Sequence, residues 1–205
     1  MRQFNLNIEP CLQGSFQIKK VNLAFVFQVN CPGCFKYGFP LVNELYLKYA
    51  NSFGFIGIST AFEDFEFNTE LHTKQLLNDG TIIGETKKYY SKKFGIEKYN
   101  QKVLFPIAID KTKTPEQFLT TGNLSLICEG NPNYKIWPQW EKDLMNEKVK
   151  SYYCNFPLIS ETFTLNQLRG TPSFIIFDEK KVILNSLFGY QNIENLQSKL
   201  IQYLN

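Results

Sequence analysis

The chain reads as an α/β protein built on a central sheet of mixed direction flanked by helices. Three observations predict this. Strand-like apolar runs alternate with helix-like segments over the first half of the chain, the pattern of parallel β-α-β units. Two further apolar runs, residues 171–178 and 182–188, flank Lys180-Lys181 and predict an antiparallel hairpin. Finally, Cys31-Pro32-Gly33-Cys34 lies where a strand-like run gives way to a helix-like one.

The elements follow in order. Residues 1–20 read as an extended lead-in. Residues 21–29 are apolar, β-branched and aromatic, and too few for an independent helix, so they read as a buried strand. After Cys34, Leu41, Leu45 and Tyr49 recur at i, i+4 and i+8, giving one apolar helical stripe. Gly38 and Pro40 interrupt its first part, and Pro40 is expected to kink the helix. Residues 53–60 form a second strand that runs into an acidic, aromatic loop, residues 62–67. Two helices follow, over 70–78 and 85–94, the first stopping at Asn78-Asp79-Gly80. Residues 104–109 read as a third strand closed by Asp110. Thr114-Pro115-Glu116 is a helix start, with Thr114 as N-cap and Pro115 at the first helical position. From Gly122 to Gly170 the pattern loosens; Trp137, Trp140, Pro132, Pro138 and Pro157 fall here. After the hairpin, Ile193, Leu196, Leu200 and Leu204 put one apolar face on a closing helix over 192–204.

Composition sets limits. The chain has 205 residues, 43% hydrophobic and 20% charged, with 19 Phe and 11 Tyr, enough for one domain with a bulky aromatic core. The net charge of +3 is weak, and Lys87-Lys88 and Lys92-Lys93 lie at helical spacing as a solvated face. No nucleic-acid partner is therefore expected. No stretch reaches the length of a membrane span, so no membrane partner is expected. The first residues have neither an apolar core nor a cleavage site, and the expected location is cytoplasmic. Five cysteines make no disulfide framework; Cys11, Cys128 and Cys154 read as free, core-type thiols.

Cys31 and Cys34 carry the chemistry. A cysteine at a helix N-terminus meets free N–H groups and the positive end of the helix dipole, both of which favour the thiolate. Cys31 is therefore the expected nucleophile. Cys34, one turn further in, is the expected resolving thiol, with Pro32 stiffening the loop and Gly33 permitting close backbone approach. The competing reading is a zinc half-site, since two thiolates at this spacing also bind Zn²⁺. That needs two more ligands, and Cys11, Cys128, Cys154 and His72 form no second pair at ligand spacing. Dithiol redox chemistry is the preferred reading, with no metal. Asn30 is a candidate loop residue that bonds either backbone or substrate, or serves only the turn's geometry. Glu44, Glu63 and Asp64 are proton-acceptor candidates by elimination only. His72 reads as a surface residue, and Trp137 and Trp140 as anchors of the loosely patterned segment rather than a roof over the cysteines.

The sequence resembles the thioredoxin-like superfamily. The matching segments are the strand entering Cys31-Pro32-Gly33-Cys34, the strand at residues 53–60, and Gly170-Thr171-Pro172-Ser173 before an apolar strand. Phe105-Pro106-Ile107-Ala108-Ile109-Asp110 places it nearest the alkyl hydroperoxide reductase/thiol-specific antioxidant and cytochrome-maturation thiol reductase branch. The resemblance implies a single thioredoxin-like domain over 1–205 with an insertion at 111–169, before the cis-proline strand. It implies a cis Pro172 against the cysteine pair and Thr171 as a substrate contact. It also implies no cofactor beyond a redox-active Cys31–Cys34 disulfide.

The departures are specific. Asn30 stands where the family usually carries Trp, and Phe25 where it usually carries a buried Asp thought to help deprotonate the second thiol. Pro40 follows Cys34 by six residues rather than the usual five. The leading expectation is a thiol–disulfide oxidoreductase reducing protein or small-molecule disulfides, with a thioredoxin reductase- or glutathione-type electron donor, in antioxidant defence and cell redox homeostasis. The alternatives are a thiol peroxidase and a non-enzymatic binding module. Against the peroxidase, Gln28 replaces the Thr expected three residues before the cysteine; Arg169, beside Gly170-Thr171-Pro172, keeps that reading open.

Overall fold

The computed structural model describes residues 2–204. A five-stranded sheet runs in the order β3-β2-β1-β6-β7, formed by β1 (Val21–Phe27), β2 (Gly54–Ser59), β3 (Ile107–Ile109), β6 (Ser173–Asp178) and β7 (Ile183–Phe188). The sheet has mixed direction. β1 pairs parallel with β2, and β2 with β3; β1 pairs antiparallel with β6, and β6 with β7. β1 is central and buried along its whole length, which is why it reads as a continuous apolar run rather than an alternating one.

Helix α1 (Phe39–Tyr49) follows the cysteines, then come α2 (Glu70–Asp79) and α3 (Gly84–Phe94). Gly80 closes α2 in the left-handed conformation, at the stop expected from the sequence. The closing helix α8 spans Ile193–Ile201. The larger core, shared with α1, α2, α3 and α8, is dominated by Phe25, Phe27, Phe35, Phe39, Phe105 and Phe174.

Pro40 does not kink a continuous helix. Residues Cys34–Gly38 wind as a π-helical turn, with the Phe39 N–H donating to the Cys34 carbonyl, and Pro40 sits in the first turn of α1. A π-turn takes up one extra residue. The sixth residue between Cys34 and Pro40 is accommodated in this way. Gly38 is required here: a Cβ would lie 2.4 Å from the Phe25 ring.

The lead-in does more than extend. Gln13 bridges to Ile107 and Ile8 to Asp110, covering the β3 edge, while Gln3 bridges to Val182 beside β7. The third strand is shorter than residues 104–109, because Asn43 in α1 takes the Lys102 carbonyl and Leu104 N–H that a longer ladder would need.

The segment from 122 to 170 is mostly helical rather than loose. Strands β4 (Thr112–Lys113) and β5 (Ile159–Ser160) pair antiparallel. Between them lie α4 (Pro115–Phe118), α5 (Thr121–Cys128), a 3₁₀ turn and α6 (Gln139–Tyr153); α7 (Glu161–Leu165) follows β5. Two small cores of their own, one around Leu124, Cys128, Tyr134 and Val149 and one around Phe118, Ile159 and Leu165, hold these helices. Their apolar stripes are short and polar-rich, so periodicity in the sequence is weak. Trp137 packs in the first of these cores, and Trp140 is exposed. Of the two cysteines expected to be buried here, Cys128 is and Cys154 is exposed.

Candidate active site

Cys31 and Cys34 lie at the C-terminal end of β1, where the chain turns into the π-turn and α1. Both are free thiols, Cys31 partly exposed and Cys34 fully buried. The Cys34 N–H donates to Cys31 Sγ at 3.3 Å. Cys31 Sγ also lies 3.5 Å from the Thr171 carbonyl. The Cys31 thiol is lowered to about 6, first by its hydrogen bond with the Cys34 side chain; burial opposes this, and Thr171 and the backbone of Cys34 and Gly33 assist. Cys34 moves the opposite way: burial, then its neighbour Cys31, pushes its thiol well above the ordinary range. The two sulfurs are thus driven apart, Cys31 toward the thiolate and Cys34 toward the thiol.

Pro172 is buried, and the Thr171–Pro172 peptide bond is cis. A Cβ on Gly33 would lie 3.7 Å from Pro172 Cδ, in ordinary contact, and Gly33 has helical φ and ψ. Glycine is therefore not required there for close backbone approach.

Phe25, at the position of the missing carboxylate, is fully buried. It stacks on Phe27 at 5.4 Å and on Phe174 at 5.3 Å between ring centroids, and meets Phe39 edge-on. The volume beneath the cysteines is therefore aromatic. Among the described residues no carboxylate hydrogen-bonds Cys34; its polar neighbours are Cys31, Thr171 and the Gln28 backbone. Of the three proton-acceptor candidates, Glu44 is exposed and pairs with Lys48. Glu63 and Asp64 sit in the loop after β2. Burial, then Asp64, raises the Glu63 carboxyl, and Asp64 accepts from Asn30 Nδ2 at 2.8 Å.

Asn30 organises the loop from within. Its Oδ1 accepts from the Glu85 N–H at 2.6 Å, capping α3 from outside that helix, and its own N–H donates to Asn68 Oδ1 at 3.0 Å. Gly84, at φ +49, must lack a side chain because its Cβ would lie 2.0 Å from Asn30 Oδ1. His72 lies in the first turn of α2, its N–H donating to the Thr69 N-cap hydroxyl at 3.2 Å and its Nδ1 2.7 Å from the Phe67 carbonyl. The Arg169 guanidinium lies over the Phe188 ring at 5.6 Å. Among the described residues no group of three or more His, Cys, Asp or Glu side chains is placed to share a metal ion.

Two buried polar residues have structural roles that the sequence did not assign them. Gln28 hydrogen-bonds Thr171, and its one signal was an amide closing an apolar strand. Asp110 accepts from the Thr162 and Phe163 N–H groups at 2.7 and 3.0 Å and from the Thr60 hydroxyl at 2.9 Å. It pins α7 to the ends of β2 and β3. Its only sequence signal was a carboxylate closing a strand.

No protein-family model and no curated protein matches the sequence. Solved structures do match. A thiol-disulfide isomerase from Corynebacterium glutamicum aligns at TM-score 0.58 and 20% identity, over 100% of this chain and 96% of that one. A thioredoxin-like superfamily protein aligns at 0.57 and 18%, over 99% and 96%. The chain has the thioredoxin-like fold. A third thioredoxin-like protein, solved in solution in its oxidised form, aligns at 0.52 and 12%, over 98% and 93%. On this thioredoxin-like fold the Cys31–Cys34 pair opens the helix after the central strand, and Thr171–Pro172 leads into the strand beside it.

Proposed function

We propose that the protein is a thiol–disulfide oxidoreductase whose redox centre is the Cys31–Cys34 pair. The observation that supports this best is the division of labour between the sulfurs: an accessible Cys31 thiol lowered to about 6 beside a buried Cys34 thiol held protonated. The Cys31 thiolate attacks one sulfur of a substrate disulfide; that S–S bond breaks and the first substrate thiolate leaves. Cys34 then loses its proton and attacks Cys31 Sγ in the mixed disulfide. The second substrate thiolate leaves and a proton is taken up. The substrate gains two electrons, and the Cys31–Cys34 disulfide carries the oxidation.

In this reading Thr171 presents backbone to an extended substrate chain, with Pro172 behind it. The reducing direction suits a cytoplasmic setting with a glutathione- or thioredoxin reductase-type donor, and protein or small-molecule disulfides as substrates. The peroxidase alternative draws no support from Arg169, whose guanidinium is directed at Phe188 rather than Cys31.

Equilibration in glutathione buffers, followed by thiol trapping and mass spectrometry, tests the proposal. A reversible two-electron transition confined to Cys31 and Cys34 is expected, and Cys34→Ser is expected to accumulate mixed disulfide at Cys31. Cysteines inert across the whole range would overturn the proposal in favour of a binding module.

A further inference from the structure

Cys31 sits where two stretches of chain meet: the turn that Cys34 opens, and residues 169–172, whose Thr171 carbonyl lies 3.5 Å from Cys31 Sγ. Each stretch carries one exposed cation over an aromatic ring. The Arg169 guanidinium lies 5.6 Å from the centre of the Phe188 ring, and Lys36 Nζ 4.5 Å from that of Tyr37. Among the described residues neither cation has a carboxylate within ion-pair distance.

The chain after β7 joins these two ends. The Phe188 ring packs on Gly170, where a Cβ would meet it at 2.9 Å. Gly189 donates its N–H to the Pro172 carbonyl at 2.9 Å. Tyr190 then meets Tyr37 edge-on, 5.0 Å between ring centroids. Phe188 is 45% exposed and Tyr190 66%. The rim of the site is therefore an exposed aromatic strip tied to the cis-proline, with a cation at each end. Residues 35–40, 169–172 and 186–191 contain no Asp or Glu. Asp64, the carboxylate bonded to the cysteine loop, is held by Asn30 on the stretch before Cys31 and is not part of the strip.

We propose that this strip selects the substrate: it docks acidic polypeptide segments beside the disulfide. Their carboxylates meet Lys36 and Arg169, and their carbon chains lie on the Phe188 and Tyr190 rings. Docking alters how often a disulfide is presented to Cys31 and leaves the exchange step as it is. The proposal deepens the oxidoreductase reading and rests on it.

The test uses three disulfide-linked peptide dimers, identical except that the residues flanking the cysteine are Glu, Gln or Lys. Oxidation of the reduced protein by each is timed by thiol trapping. Each rate is divided by that of dithiothreitol with the same peptide, which removes the peptide's own reactivity. Bis(2-hydroxyethyl) disulfide, small and uncharged, reads the dithiol without the strip. Wild type is expected to favour the Glu peptide over the Gln peptide by roughly three- to tenfold, the worth of two exposed ion pairs, and to disfavour the Lys peptide. The K36Q/R169Q double variant is expected to bring the three rates together. Salt on the order of 1 M should do the same in wild type, and carries the test if the variant does not fold. Equal rates in wild type, or a Glu preference that survives either the double variant or the salt, overturn the proposal. Wild type that reduces neither the uncharged disulfide nor any peptide overturns the oxidoreductase reading instead.

Discussion

The backbone N–H of Cys34 points at the sulfur of Cys31 from 3.3 Å, so the helix start itself solvates the nucleophile. The Cys34 side chain is the largest single cause of the lowered Cys31 thiol, and the backbone donors add to it. Alkylation of Cys31 is expected to rise with pH through a midpoint of about 6 and level off near neutrality. Cys34→Ala removes the first cause and keeps the backbone donor, so the midpoint is expected to move up. Rates measured with a neutral alkylating reagent across pH 4 to 9 check both; an unmoved midpoint in the variant would assign the effect to backbone alone.

Phe25 fills the site of the family's buried carboxylate with an aromatic ring in contact with four others. Phe25→Ala is expected to cost about 3–5 kcal/mol in denaturant unfolding, through lost contacts and a cavity. Phe25→Asp should cost more and restore nothing, because it would bury a carboxylate among the rings of Phe27, Phe39, Phe105 and Phe174. A folded Phe25→Asp variant with faster disulfide exchange would contradict this.

Asn30 Oδ1 caps α3 across the fold from the active-site loop. Asn30→Ala is expected to destabilise by roughly 1–2 kcal/mol, the range of a lost N-cap. The loss should appear first as faster hydrogen exchange at Glu85 and neighbouring amides, with α8 unaffected.

Gly33 and Gly38 make a matched pair. At Gly33 the backbone is helical and a Cβ meets only ordinary contacts, so Gly33→Ala is expected to be neutral or stabilising by about 0.4–1 kcal/mol. At Gly38 the added Cβ meets the Phe25 ring, and Gly38→Ala is expected to cost about 1–3 kcal/mol. Thermal midpoints of the two variants should separate in opposite directions.

The Asp110 carboxyl is pushed up to about 7 by burial, against the pull of the Thr162, Phe163 and Thr60 donors. A carboxyl raised in the folded state favours folding when protonated. That contribution is complete below the ordinary carboxylate range, near pH 4, and is lost as pH rises through about 7. The oxidised protein, in which Cys31 does not titrate, is expected to be more stable at pH 5 than at pH 8. Asp110→Asn should flatten that difference in chemical denaturation.

The mixed α/β order, the central strand, the C-terminal hairpin and the Cys31–Cys34 pair were legible in the sequence by itself. Each rests on a local signal: an unbroken apolar run, a turn between two strands, or two thiols one helical turn apart. The cis Pro172 was legible through resemblance. What the tertiary structure alone decided depends on contacts between residues far apart in the chain. The π-turn before Pro40 ends at Gly38, which packs against Phe25 of another element with no room for a side chain. The helices of residues 122–170 are held by two small cores too polar and too short to show a period. Asn30, Gln28 and Asp110 each look like ordinary strand-end residues in the sequence. Their roles appear only when the sheet brings Glu85, Thr171 and Thr162 beside them, because a buried polar group is satisfied by whichever partner the fold delivers.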